Sequence, residues 1–100
     1  MQPSKGEKFS GAKPPVFTFC MQFKDAIAEL ANRSRQGHEK YIETDADWRN
    51  FERVENPDFE YSNAMFRHAI GLGEEDNEFE HYIATAWNAI ARLQCYIRNK

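Results

Sequence analysis

A chain of 100 residues amounts to one domain, with room for a core but only a thin one. Its 41% apolar and 14% aromatic content excludes a disordered chain. The net charge of −3 balances nine Lys/Arg against nine Asp/Glu over residues 1–56 and sets four against seven over residues 57–100, which excludes the basic footprint of a protein bound to long nucleic acid.

No apolar run approaches the ~20 residues of a membrane span, and no signal peptide stands out, so no membrane and a cytoplasmic location are expected. So many Phe, Tyr and Trp on a short chain predict a core completed by self-association, in a homo-oligomer. Cys20 and Cys95 are far apart and fall on apolar faces, which predicts two buried thiols and no disulfide.

In chain order, residues 1–15 are polar and rich in Lys, Gly, Ser and Pro, and read as an N-terminal arm or loop. A single helical domain fills 16–100. Its first helix is predicted over Val16 to Ser34, with Phe19, Phe23, Ile27, Leu30 and Ala31 on one face. Asn32, Ser34 and Gly37 weaken it. A short second helix holds Trp48 and Phe51, with Thr44 as N-cap and Asp47 in its first turn, and ends before Asn56-Pro57. A third starts at Asp58 and runs to about Leu72, carrying Tyr61, Met65, Ala69 and Leu72 in one stripe, with Phe66 and Ile70 beside it, and Gly71 and Gly73 supply its stop. Asp76 or Asn77 caps the last helix. There Phe79, Ile83, Ala86, Ile90, Leu93 and Ile97 are spaced 4, 3, 4, 3, 4, a heptad seam expected to be buried against the first and third helices. The fold class is therefore all-α, a small helical bundle of three long helices plus one short one.

Candidate chemistry lies beside that seam. His81, Thr85, Asn88 and Arg92 form a polar stripe able to face a ligand. Arg67 offers a bidentate grip on phosphate and His68 a further donor or metal ligand. Glu78-x-x-His81 is one copy of a motif that di-metal bundles use twice, so no protein metal site is expected. The acidic run Glu74, Glu75, Asp76, Glu78 and Glu80 reads either as a solvated helix start or as a Mg²⁺ ligand set.

Several fragments together carry a resemblance. Gly11-Ala12-Lys13-Pro14 precedes the first helix. Gly37-His38-Glu39-Lys40-Tyr41 is followed seven residues later by Trp48. Arg67-His68 is followed by Gly73-Glu74 and Asp76, and His81 by Ala86-Trp87-Asn88-Ala89. In this order the chain resembles a phage-encoded family, the dATP/dGTP diphosphohydrolase, N-terminal domain, over residues 11–96. It departs from the pattern at Ile42, where the family has glycine, at Asp47, where it has asparagine, and at Ala84, where it has a second histidine. The chain also lacks the carboxylate array that helical nucleotide pyrophosphohydrolases use to gather Mg²⁺.

The resemblance implies a nucleotide-type partner. Lys13, Lys40, Tyr41, Trp48, Arg67, His68, His81 and Asn88 supply donors, cations and stacking surfaces for it without a catalytic set. The expected function is that of a phage small-molecule-binding protein with no cofactor. It would sequester a cyclic nucleotide or an ADP-ribose-derived immune signal to counter host defence, in the host cytoplasm. The alternative is a Mg²⁺-dependent (d)NTP pyrophosphohydrolase using Glu74 and Asp76. A structural or protein-binding helical module is the second alternative.

Overall fold

The computed structural model describes residues 11–72 and 77–99. Among them every regular element is helical: α1 (Val16–Gln22), α2 (Lys24–Lys40), a one-turn 3-10 helix (Asn50–Arg53), α3 (Pro57–Ala69) and α4 (Glu78–Arg98). The expected small all-α bundle is what forms. None of these helices is long and apolar enough to cross a membrane.

The predicted first helix is in fact two. Phe23, at φ −120° and ψ 32°, leaves the helical region and separates α1 from α2. Past that break α2 continues beyond Ser34, through Gly37, to Lys40. A mid-helix glycine costs about 0.5–1 kcal/mol. Here an Arg35–Glu39 ion pair of 2.8 Å at the i, i+4 spacing and the anchoring of Ser34 by the Trp87 indole carry the helix past it. Thr44 does not start a helix; its hydroxyl donates to the Tyr41 carbonyl at 3.2 Å and so closes the end of α2.

Trp48 lies in a turn just ahead of the 3-10 helix rather than within a helix. Side-chain hydrogen bonds explain why. Asp45 accepts the Asp47 N–H at 3.2 Å, and Asp47 accepts the Arg49 N–H at 2.9 Å, local bonds that compete with helix formation. The Arg53 guanidinium then clamps both carboxylates.

α3 begins one residue earlier than predicted, with Pro57 in its first turn after Asn56 in the left-handed region. It ends at Ala69, short of the expected Leu72, with Gly71 as the stop: Gly71, at φ +79°, donates to the His68 carbonyl and Leu72 to that of Arg67. Gly73, Glu74, Glu75 and Asp76 lie outside the described residues. The Asn77 side chain accepts the Glu80 N–H at 2.9 Å and caps α4.

The largest correction concerns α4. Its buried residues are His81, Ala84, Asn88, Ala91 and Cys95, spaced 3, 4, 3, 4. At 100° per residue this row lies nearly opposite the predicted seam. Phe79, Ile90, Leu93 and Ile97 are exposed and Ile83 is only half-buried. The reason is size. Ala84 and Ala91 let the backbone of α3 come close, and α3 is the element against which α4 packs most fully, with α2 second. Along α3 and just past it Tyr61 and His68 are buried; of the predicted stripe Met65 is half-buried and Ala69 and Leu72 are exposed, as are Phe66 and Ile70 beside it. The core is a small cluster of Tyr61, Ala91 and Cys95, flanked by Phe51 and Trp87. Cys95 is buried and Cys20 half-buried, both as free thiols.

Candidate functional site

Two adjoining clefts open where α2, α3 and α4 meet. They share Gly37, Tyr41 and Trp87.

The first, of about 470 Å³, is aromatic. Trp48 stacks on His38, with ring centroids 4.1 Å apart and 9° from parallel. Trp87 forms the inner wall, meeting Phe51 and Tyr61 edge-on at 6.0 and 6.1 Å. Its indole N–H donates to the Ser34 hydroxyl at 2.8 Å. The Tyr61 hydroxyl donates to the Phe51 carbonyl at 2.6 Å, and burial pushes its pKa up to about 12. The Cys95 thiol approaches the same carbonyl, so one backbone oxygen ties the Trp48 segment to α3 and α4. Burial also raises the Cys95 pKa.

At the mouth of this cleft the Arg53 clamp holds Asp45 below the usual carboxylate pKa range. Asp47 is lowered first by the Arg49 N–H and then by Arg53. His38 Nδ1 is buried and has no hydrogen-bond partner among the described residues.

The second cleft, of about 540 Å³, is cationic. Arg33, Gln36, Gly37 and Lys40 line it from α2 at the i, i+3, i+4, i+7 spacing of a single helix face. Arg67 and His68 line it from the last turn of α3, and Asn88 from α4. Arg33, Lys40 and Arg67 have no carboxylate partner among the described residues. Lys40 Nζ lies 5.4 Å from the Tyr41 ring centroid, a cation–π distance.

Behind His68 stands His81, both buried, with their Nδ1 atoms 3.0 Å apart. That bond requires one ring to carry its Nδ1 proton and the other to accept. The Asn88 amide donates back to the Ala84 carbonyl at 2.8 Å, which fixes how it faces the cleft.

The predicted site residues therefore separate. Lys40, Tyr41, Arg67, His68 and Asn88 meet in the cationic cleft, with Trp48 in the aromatic one and Tyr41 in both. His81 supports His68 from behind. Lys13 precedes α1 and lines neither cleft. Of the other polar residues on α4, Thr85 bonds the His81 carbonyl and Arg92 pairs with Asp58 at 2.8 Å. Sequence reasoning missed Arg33, Gln36, Gly37, His38 and Trp87. The helical spacing of the first three with Lys40 was the available signal, hidden by ending the helix at Ser34.

Among the described residues no three His, Cys, Asp or Glu side chains gather around a point fit for a metal ion. Glu78 instead accepts the Tyr82 hydroxyl at 2.7 Å, and Glu74 and Asp76 lie outside the described residues.

The model of one protein family, "dATP/dGTP diphosphohydrolase, N-terminal", matches residues 3–100. No curated protein and no solved structure matches the chain. The chain belongs to that family.

Proposed function

We propose that this member of a nucleotide-related family binds a nucleotide-type ligand across the two clefts, base against the aromatic wall and phosphates among the cations. The observation that carries the reading is that two clefts of opposite chemistry share one wall. Stacking on an aromatic side chain contributes about 1–3 kcal/mol per base and is available at Trp48, Tyr41 or Trp87. Arginines such as Arg33 and Arg67 suit bidentate contact with phosphate, with Lys40 as a point charge.

A helix C-terminus favours a cation in any case, which accounts for Lys40 and Arg67 singly. It does not account for two such ends converging on one cleft with Arg33 between them.

Gly37 supports the same reading. An added Cβ there would meet no atom within 4 Å, so the fold does not demand glycine, yet the residue lines both clefts.

We read the activity as capture of the intact ligand. The described walls of the cationic cleft offer donors and cations, and Asp45 in the neighbouring cleft is already clamped by Arg53. A phage protein that held a cyclic nucleotide or ADP-ribose-derived signal in this way would blunt host defence. The second reading, Mg²⁺-dependent splitting of a (d)NTP with Glu74 and Asp76, is favoured by the family's name.

One experiment separates the two. The protein is incubated with linear and cyclic nucleotides, freed of excess, heated, and the released small molecules are analysed. Capture returns the ligand unchanged; hydrolysis gives a Mg²⁺-dependent product that Glu74→Gln or Asp76→Asn abolishes. Arg67→Ala and Trp48→Ala should each weaken binding tenfold or more, about 1.4 kcal/mol, with the fold intact. Gly37→Ala should weaken binding while raising the melting temperature. No binding to any nucleotide at millimolar concentration would overturn both readings and leave a structural helical module.

A further inference from the structure

We infer that the exposed seam of α4 is an interface with a second copy of this chain, in which two α4 helices pack antiparallel about a two-fold axis at the level of Asn88. The seam runs from Phe79 to Ile97, about 27 Å at 1.5 Å per residue. Phe79, Tyr82, Ile90, Leu93, Tyr96 and Ile97 are each between 54% and 68% exposed. An aromatic or large aliphatic side chain at that level offers on the order of 100 Å² to a partner. Six of them offer about 600 Å², which matches each side's share at the low end of specific interfaces, about 1,200 Å² in total.

Two further observations select a second copy as the occupant. The first is register. The spacing 4, 3, 4, 3, 4 reads the same in both directions, so an antiparallel copy sets seam against seam along its whole length. Phe79 meets Ile97 of the partner subunit, Ile83 meets Leu93 of the partner subunit, and the small Ala86 receives Ile90 of the partner subunit. The second is shape. An apolar groove of about 350 Å³ lies between α2 and the first half of α4, where Ala26 and Leu30 face Phe79, Ile83 and Ala86. In this register the partner's Leu93 and Ile97 arrive at that groove.

The test is light scattering and sedimentation of the full chain at tens of micromolar. The expected species has twice the 11.7 kDa chain mass. Ile90→Glu should give a monomer with unchanged helicity by circular dichroism, since Ile90 is exposed in the single chain. Phe79→Cys combined with Ile97→Cys should cross-link two chains on oxidation, and neither single cysteine variant should, because the register pairs position 79 with position 97 and neither with itself. A wild-type monomer, or a dimer indifferent to Ile90→Glu, overturns the interface. Failure of the paired cysteines to cross-link, or cross-linking by either one alone, overturns the antiparallel register.

Discussion

The two long faces of α4 share a heptad period and differ in everything else. The face turned to α3 carries His81, Ala84, Asn88, Ala91 and Cys95, small or polar residues that are all buried. The opposite face carries most of the helix's large apolar side chains and leaves them in solvent. Periodicity alone says that a helix has a face in need of cover. Side-chain size decides which face the chain itself can cover at close range. The alanines admit α3, and the two buried polar residues are satisfied, His81 by His68 and Asn88 by the Ala84 carbonyl.

Three substitutions sharpen that contrast. The largest effect is expected from Ala84→Leu, at a position with no exposed surface. Overpacking there should destabilise by roughly 1–3 kcal/mol, equally at every protein concentration. An unchanged thermal melt would mean that α3 does not close on this face.

Next comes Tyr61→Phe, which removes the hydroxyl bonded to the Phe51 carbonyl at a cost of about 1 kcal/mol. Because the folded-state pKa of Tyr61 is raised from 10.0 to about 12, the stability it lends is complete below pH 10 and lost as pH rises through 12. Urea melts should therefore show the gap between wild type and variant narrowing above pH 10; a constant gap would place the hydroxyl in solvent.

The smallest effect belongs to Ile90→Ala in dilute solution, within about 0.5 kcal/mol, as for other surface changes. A loss of roughly 2–5 kcal/mol there would return the outer seam to the core.

Much of the fold was legible from the sequence because its punctuation is local. Asn77 caps and Gly71 stops as single residues, and each acts where it stands, whereas the start of α3 was read at Asp58 instead of Pro57. What was hidden depends on contacts distant in sequence. Nothing near Ser34 announces that the Trp87 indole, 53 residues away, will anchor it and help carry α2 past Gly37. The same extension brings Arg33 and Gly37 into the site. Arg67, His68, Lys40 and Asn88 were named because their side-chain chemistry suits phosphate wherever the backbone places them, and the fold brings them to one cleft. Lys13 shares that chemistry, but the fold keeps it out of both clefts. Trp48 was singled out for stacking on a ligand; the structure stacks it on His38, in a turn built by Asp45, Asp47 and Arg53 rather than in a helix.

The positions of the two tryptophans have an optical consequence. Trp48 lies face to face with an imidazole, in a position where electron transfer between the rings can dim its emission. Trp87 is held by a hydrogen bond to Ser34 and forms part of the wall between the clefts. The chain thus carries two intrinsic fluorophores with different views of an incoming molecule. Occupancy of the cationic cleft alone reaches only Trp87. Insertion of a base beside Trp48 alters the stack itself and changes the quenching as well as the colour of the emitted light.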